Sequence, residues 1–183
     1  MKITPLEIKG AWLIENQVFP DSRGIFREWF KAESLVNHGL PEFQVRQANT
    51  SISNKGVIRG IHYSSQENGQ AKLVTCTSGS ILDVVVDLRP RSADYGMHLA
   101  VELHSNQGSS LFISSGLGHA FQALEENTVV TYLLDKEYSP KNEFGLNPID
   151  PEIGVIWPLL DYQISEKDLN ASKFNEINSG RSS

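Results

Sequence analysis

The chain predicts an all-β fold, an antiparallel sandwich or barrel with a few short peripheral helices. Three observations carry this reading: short runs of β-branched and aromatic residues, turn signals between them, and few segments with helical periodicity. The strand-like runs are 12-WLIENQVF-19, 44-QVRQANTSIS-53, 57-VIRGIHY-63, 72-KLVTCT-77, 80-SILDVVVDLR-89, 98-HLAVEL-103, 110-SLFIS-114 and 128-TVVTYLL-134. Between them, 54-NKG-56, 67-ENG-69, 78-SG-79 and 105-SNQG-108 each supply a residue tolerant of positive φ, and they read as hairpin turns.

Two helices are expected. One covers 31-KAESLVNH-38 and stops at Gly39 before Pro41. The other starts near Ser165, where 165-SEKD-168 has the spacing of a capping box, and runs towards Phe174. With 183 residues and no repeat or linker, the chain reads as one domain over residues 1–183, with 178-NSGRSS-183 a frayed tail.

Composition narrows the function. A hydrophobic share of 39% with 21% charged residues, 14 Gly and 8 Pro is that of a turn-rich globular protein. The net charge of −6 argues against a broad basic face for nucleic acid, so an anionic small ligand would need a local cluster of Arg and Lys. The lone Cys76 cannot form an internal disulfide, and a reducing, cytoplasmic setting is the simplest inference. No apolar run has the length of a signal peptide core or a membrane span.

Polar residues in unexpected places point to a site. In 57-VIRGIHY-63, regular alternation sends Arg59 to one face and His62 to the other, so a shared pocket requires Gly60 to mark a bulge. Taken alone, His62 is ordinarily a core histidine bonded to a carbonyl. Tyr132 shares a strand face with Val130 and Leu134, where a tyrosine usually packs. Lys72 opens a strand, as exposed charges often do. Gln47, Asn49 and Ser51 give one strand a polar face, either its solvent side or part of a site. Arg23 in 21-DSRG-24 and Arg59 in 58-IRG-60 each precede a glycine, which suits a phosphate or diphosphate as well as a plain turn. His119 follows two glycines in 114-SSGLGHAF-121, and Asp168 holds the acidic position of the capping box.

Taken together, the blocks 19-FPDSRGIFRE-28, 47-QANTSISNKGVIRGIHY-63, 70-QAKLV-74, 83-DVVVDLR-89, 116-GLGHAF-121, Tyr132, 138-YSPKNE-143, 157-WP-158 and 165-SEKD-168 resemble the nucleotide-sugar 3,5-epimerases typified by dTDP-4-dehydrorhamnose 3,5-epimerase. The resemblance spans about residues 7 to 175 and implies an antiparallel jelly-roll, cupin-like barrel. It implies that His62 is a general base paired with Asp168, that Tyr132 is the general acid, and that Lys72 and His119 line the sugar pocket. Arg23, Glu28, Gln47, Asn49, Arg59, Glu143 and Lys167 would bind nucleotide, diphosphate and sugar, with Phe26 and Tyr138 near the base. It further implies a dTDP-sugar substrate, no cofactor or metal, and a homodimer that exchanges N-terminal strands. The chain departs from the family pattern at 64-SSQENGQ-70, 114-SSGLGH-119 and 144-FGLNP-148, which bears on the sugar preferred and on whether one carbon or both are inverted.

Two other classes share such a fold. A metal-dependent cupin would need a second histidine beside His62, and 62-HYS-64 lacks it. A sugar-binding jelly roll without catalysis would not require a His, a Tyr and a Lys around one cavity.

Overall fold

The computed structural model describes residues 1–65 and 69–179. In chain order the first seven strands are β1 (Lys2–Pro5), β2 (Ala11–Glu15), β3 (Val18–Asp21), β4 (Gly24–Arg27), β5 (Gln47–Ser53), β6 (Val57–Ser64) and β7 (Lys72–Ser78). They are followed by β8 (Ser80–Asp87), β9 (His98–His104), β10 (Ser109–Ile113), β11 (Leu117–Ala123), β12 (Thr128–Leu134), β13 (Glu143–Gly145) and β14 (Gln163–Ile164). The helices are α1 (Ala32–Asn37), α2 (Glu166–Leu169) and α3 (Phe174–Ser179).

Sheet one has the order β1-β2-β10-β7-β12-β5, and sheet two the order β13-β6-β11-β8-β9, with β14 parallel to the outer part of β6. The other strand pairs are antiparallel, and β3 with β4 forms a separate ribbon. The architecture is a jelly roll. This topology corrects one expectation: the turns at 54–56, 78–79 and 105–108 are not hairpins. Each carries the chain from one sheet to the other, β5 to β6, β7 to β8 and β9 to β10. Their glycines do take positive φ, at +84° for Gly56, +74° for Gly79 and +73° for Gly108. Positive φ marks a sharp turn but not the sheet it leads to. The expected turn at 67–69 begins outside the described residues.

Three apolar layers hold the sheets. Ile8, Val74, Cys76, Val85, Leu103, Leu111, Phe121 and Val130 fill the space between them. Leu35 of α1 with Leu40 and Phe43 covers the back of sheet one through Ile14, Leu73 and Phe112. Leu146, Ile153 and Trp157 cover the back of sheet two through Ile58, Val84 and Ala120. A sheet buried on both faces loses the alternation expected of a half-exposed strand. Every residue of β11 is buried, and its Gly118 and Ala120 dilute its β-branched signal, so no strand was read there.

The helix signals hold at their starts better than at their ends. α1 stops before Gly39, whose N–H donates to Val36 O as the sequence punctuation requires. The helix expected to run from near Ser165 towards Phe174 ends at Leu169, and a separate helix starts at Phe174. Asn147 Nδ2 takes the Leu169 carbonyl at 2.7 Å and Asn147 N–H takes the Ser172 carbonyl at 3.0 Å, which pulls the chain out of helix after α2. Residues 178 and 179, read as tail, close α3, and residues 180–183 lie outside the described residues. Among the described residues no helix is long and apolar enough to cross a membrane.

Candidate active site

The question raised by Arg59 and His62 has a geometric answer. In the pairing of β6 with β11, Phe121 stands opposite Arg59 and His119 opposite His62. Between these pairs one residue of β11, Ala120, faces two of β6, which is a β-bulge at Gly60 and Ile61. Phe121 and His119 share a face of β11, so their partners Arg59 and His62 share one too. Ile58 and Ile61 turn instead to the back of the sheet, where Tyr63 joins them and stacks on Phe144 at 5.4 Å. Gly60 permits this with φ of +107°, and a Cβ there would run into the His119 carbonyl and Ala120.

Arg59 and His62 open onto a cleft of about 860 Å³ between the sheets. Asn49, Lys72, His119, Tyr132, Lys167 and Asp168 line the same cleft. A smaller chamber of about 220 Å³ shares Asn49, His62, Lys72, Tyr132 and Lys167, and adds Gln47, Tyr138 and Glu143. The polar face of β5 thus points inward. Gln47, Asn49 and Ser51 are half-buried, whereas Ala48, Thr50 and Ile52 between them are exposed. Gln47 Nε2 donates to Asn49 Oδ1 at 3.0 Å, and its Oε1 accepts the Tyr138 N–H at 2.8 Å.

His62 is held from the far end of the chain. β14 lies parallel on β6 and delivers α2, whose N-cap Ser165 Oγ accepts the Asp168 N–H at 3.1 Å. Half of the capping box therefore forms. The Asp168 carboxylate bonds His62 Nε2 at 2.7 Å instead of reaching back to the Ser165 N–H. Burial raises the Asp168 pKa, but the hydrogen bond and charge of His62, with bonds from Ser165 and the Gly60 N–H, outweigh it and leave the carboxyl below its ordinary range.

Lys72 is not the exposed strand-start charge that its position suggested. It is buried on β7 between Ile113 and Leu134 of the neighbouring strands. Burial lowers its pKa, while the charges of Glu143 and Asp83 oppose that shift. Burial likewise raises Glu143, against the pull of Lys72, His62 and Lys167. Tyr132 enters from β12 on sheet one, opposite His62 of sheet two, and among the described residues no hydroxyl bond to a carbonyl ties it back. His119 is not a loop residue either, because it lies inside β11 with Nε2 bonded to Asp83 Oδ1 at 2.5 Å.

Asp83 was not foreseen as a site residue. Its signal was available in 81-ILDVV-85, where strand alternation puts a carboxylate between Ile81 and Val85 on an apolar face. Three foreseen residues, Arg23, Phe26 and Glu28, line neither the cleft nor the chamber. Arg23 sits at the tip of the β3–β4 ribbon, paired with Asp21 at 2.5 Å, and the Phe26 side chain is exposed on β4. The two arginine–glycine pairs are thus separated, with only Arg59 at the cleft. Arg59 Nε donates to Ser53 Oγ at 3.0 Å. Among the described residues no three His, Cys, Asp or Glu side chains converge to hold a metal ion.

A sequence model of dTDP-4-dehydrorhamnose 3,5-epimerase matches residues 5–176. The chain belongs to this family. Among its relatives is the dTDP-4-dehydrorhamnose 3,5-epimerase of Streptomyces griseus, 42% identical over 94% of this chain and 86% of that one. The rmlC epimerase of Mycobacterium tuberculosis superposes with a TM-score of 0.93 at 38% identity, covering 98% of this chain and 92% of the other. The chain is also similar to ChmJ, a 3'-monoepimerase from Streptomyces bikiniensis solved in complex with dTDP-quinovose. It shows a TM-score of 0.91 at 37% identity, over 96% of this chain and 89% of that one.

Proposed function

We propose that the chain inverts carbons 3 and 5 of dTDP-4-dehydro-6-deoxy-D-glucose, giving dTDP-4-dehydro-L-rhamnose. The observation that carries this is the disposition of His62 and Tyr132 on opposite sheets across one cleft, with Lys72 beside them. The ketone at carbon 4 acidifies the protons on both neighbouring carbons, because either carbanion delocalises onto the carbonyl oxygen. His62, oriented by Asp168, removes the proton. Lys72 stabilises the enolate oxygen. Inversion needs a proton from the other face, and Tyr132 supplies it from the facing sheet. Asn49, Glu143, Lys167 and His119 bind the sugar, Arg59 the diphosphate, and Gln47 with Tyr138 the nucleotide end. No metal or redox cofactor enters this scheme.

The protein acts as a homodimer in the cytoplasm. The position of Arg23 and Phe26 on the β3–β4 ribbon, and of Glu28 just after it, away from their own cleft supports an exchange of ribbons, in which these residues complete the partner's nucleotide site. A second reading, inversion of carbon 3 alone, is favoured by the similarity to ChmJ.

Proton NMR of dTDP-4-dehydro-6-deoxy-D-glucose with the protein in D2O tests the proposal. Deuterium at carbons 3 and 5 supports it, and label at one carbon alone replaces it with the mono-epimerase. No exchange leaves a sugar-binding jelly roll.

A further inference from the structure

His62 and His119 are cross-strand neighbours with one carboxylate each, but the two pairs differ in their access to water. The His62 and Asp168 side chains are 42% and 8% exposed, whereas those of His119 and Asp83 are 9% and 0% exposed. Asp83 stands on the inward face of β8 between Ile81 and Val85, both fully buried. A carboxylate in such a layer is disfavoured by several kcal/mol unless it is paired. Among the described residues only one of its oxygens is paired, because Oδ1 accepts from His119 while Oδ2 is buried without a hydrogen-bond partner. Stability alone would favour an apolar residue here.

We propose that Asp83 is a positioning residue of the site, fixing the ring and tautomer of His119 through Oδ1 and serving as a counter-charge to Lys72. The proposal rests on the epimerase reading given above. An ionised Asp83 only accepts, so His119 Nε2 carries the proton and the other ring nitrogen, Nδ1, is left for the ligand. His119 Nδ1 then accepts a hydrogen bond from the substrate, while the more exposed His62 does the proton transfer. Lys72 shares its cleft and chamber with Glu143 from β13, His62 and His119 from sheet two, Tyr132 from β12 and Lys167 from α2, and Asp83 of β8 acts on it from behind His119. Of these, Asp83 and Glu143 are the negative charges that favour its ammonium form.

The first test uses the wild-type protein. Two-bond ¹H–¹⁵N correlation spectra should show His119 protonated at Nε2, and an unprotonated Nε2 overturns the proposal. The second compares Asp83→Asn with wild type. The variant should lose about tenfold or more in kcat, with dTDP affinity held within about twofold. The alkaline limb of its pH–kcat profile should move to lower pH, and in a Lys72→Arg background that movement should vanish, because guanidinium stays charged. A variant that only melts at lower temperature, with kcat and pH profile unchanged, makes Asp83 structural and overturns the proposal. If the wild type incorporates no deuterium, the epimerase reading fails, and the tautomer measurement still decides the role of Asp83 at His119.

Discussion

His62 and Tyr132 face one cleft from different sheets, one on β6 and the other on β12. A base and an acid on opposing walls suit inversion, because the proton leaves one face of the sugar carbon and another arrives on the other.

His62→Ala should abolish turnover while the protein still folds, since the side chain is 42% exposed and fills no apolar layer. The expected loss is about 10²- to 10⁴-fold, the usual contribution of a general base. Deuterium incorporation followed by NMR and a thermal melt on the same sample check both halves. Wild-type rates in the variant would remove His62 from the role of base.

Tyr132→Phe separates abstraction from inversion. Product formation should fall by roughly 10²-fold, yet the substrate should still exchange its carbon-bound protons for solvent deuterium. If exchange and inversion fall together, Tyr132 assists the first step as well.

Gly60→Ala should destabilise the fold by about 3 kcal/mol, because it combines a disfavoured φ with a collision against β11. Urea denaturation measures it. A change within about 0.5 kcal/mol would mean that the bulge tolerates a side chain.

Asp168 ties stability to acid. Its native pKa lies below the ordinary 3.8, so ionisation favours the folded state. The contribution is fully present above the unfolded value and is lost as pH falls through the native one. Denaturant melts of wild type and Asp168→Asn should differ most near neutrality, begin to approach each other near the unfolded value of 3.8, and converge only below the lowered native one. A difference independent of pH would assign the effect to packing.

Mixing His62→Ala with Arg23→Ala tests the exchanged ribbon. Each variant alone should be weak, but random heterodimers pair an intact cleft with an intact ribbon and should restore roughly a quarter of the sites. Activity equal to the mean of the parents would mean that each chain supplies its own Arg23.

The strands that alternate, such as β5 and β12, were legible because one face meets a different environment from the other. β11 was not, because both of its faces are buried. The turns were recognised from positive-φ residues, but whether a corner stays within a sheet depends on which distant strand accepts the next hydrogen bonds. The catalytic candidates were named from the family pattern, and several reach the cleft in ways that local pattern misreads. Lys72 looked like a surface charge, His119 like a loop residue, and Asp168 like a simple cap. Arg23 and Phe26 were named as candidates for binding from the same pattern, and they stand on a ribbon that lines neither cavity of their own chain.

His62 and its carboxylate are 106 residues apart in the chain. During synthesis, β6 can join sheet two long before β14 and α2 have been made. Until then the histidine would stand in a cleft with no group to set its ring. On the proposed mechanism, catalytic competence therefore arrives last, when the C-terminal segment docks along β6. Activity in this architecture reports that the chain has been completed and wrapped, so a protein shortened before Asp168 could keep much of its barrel and still be chemically silent.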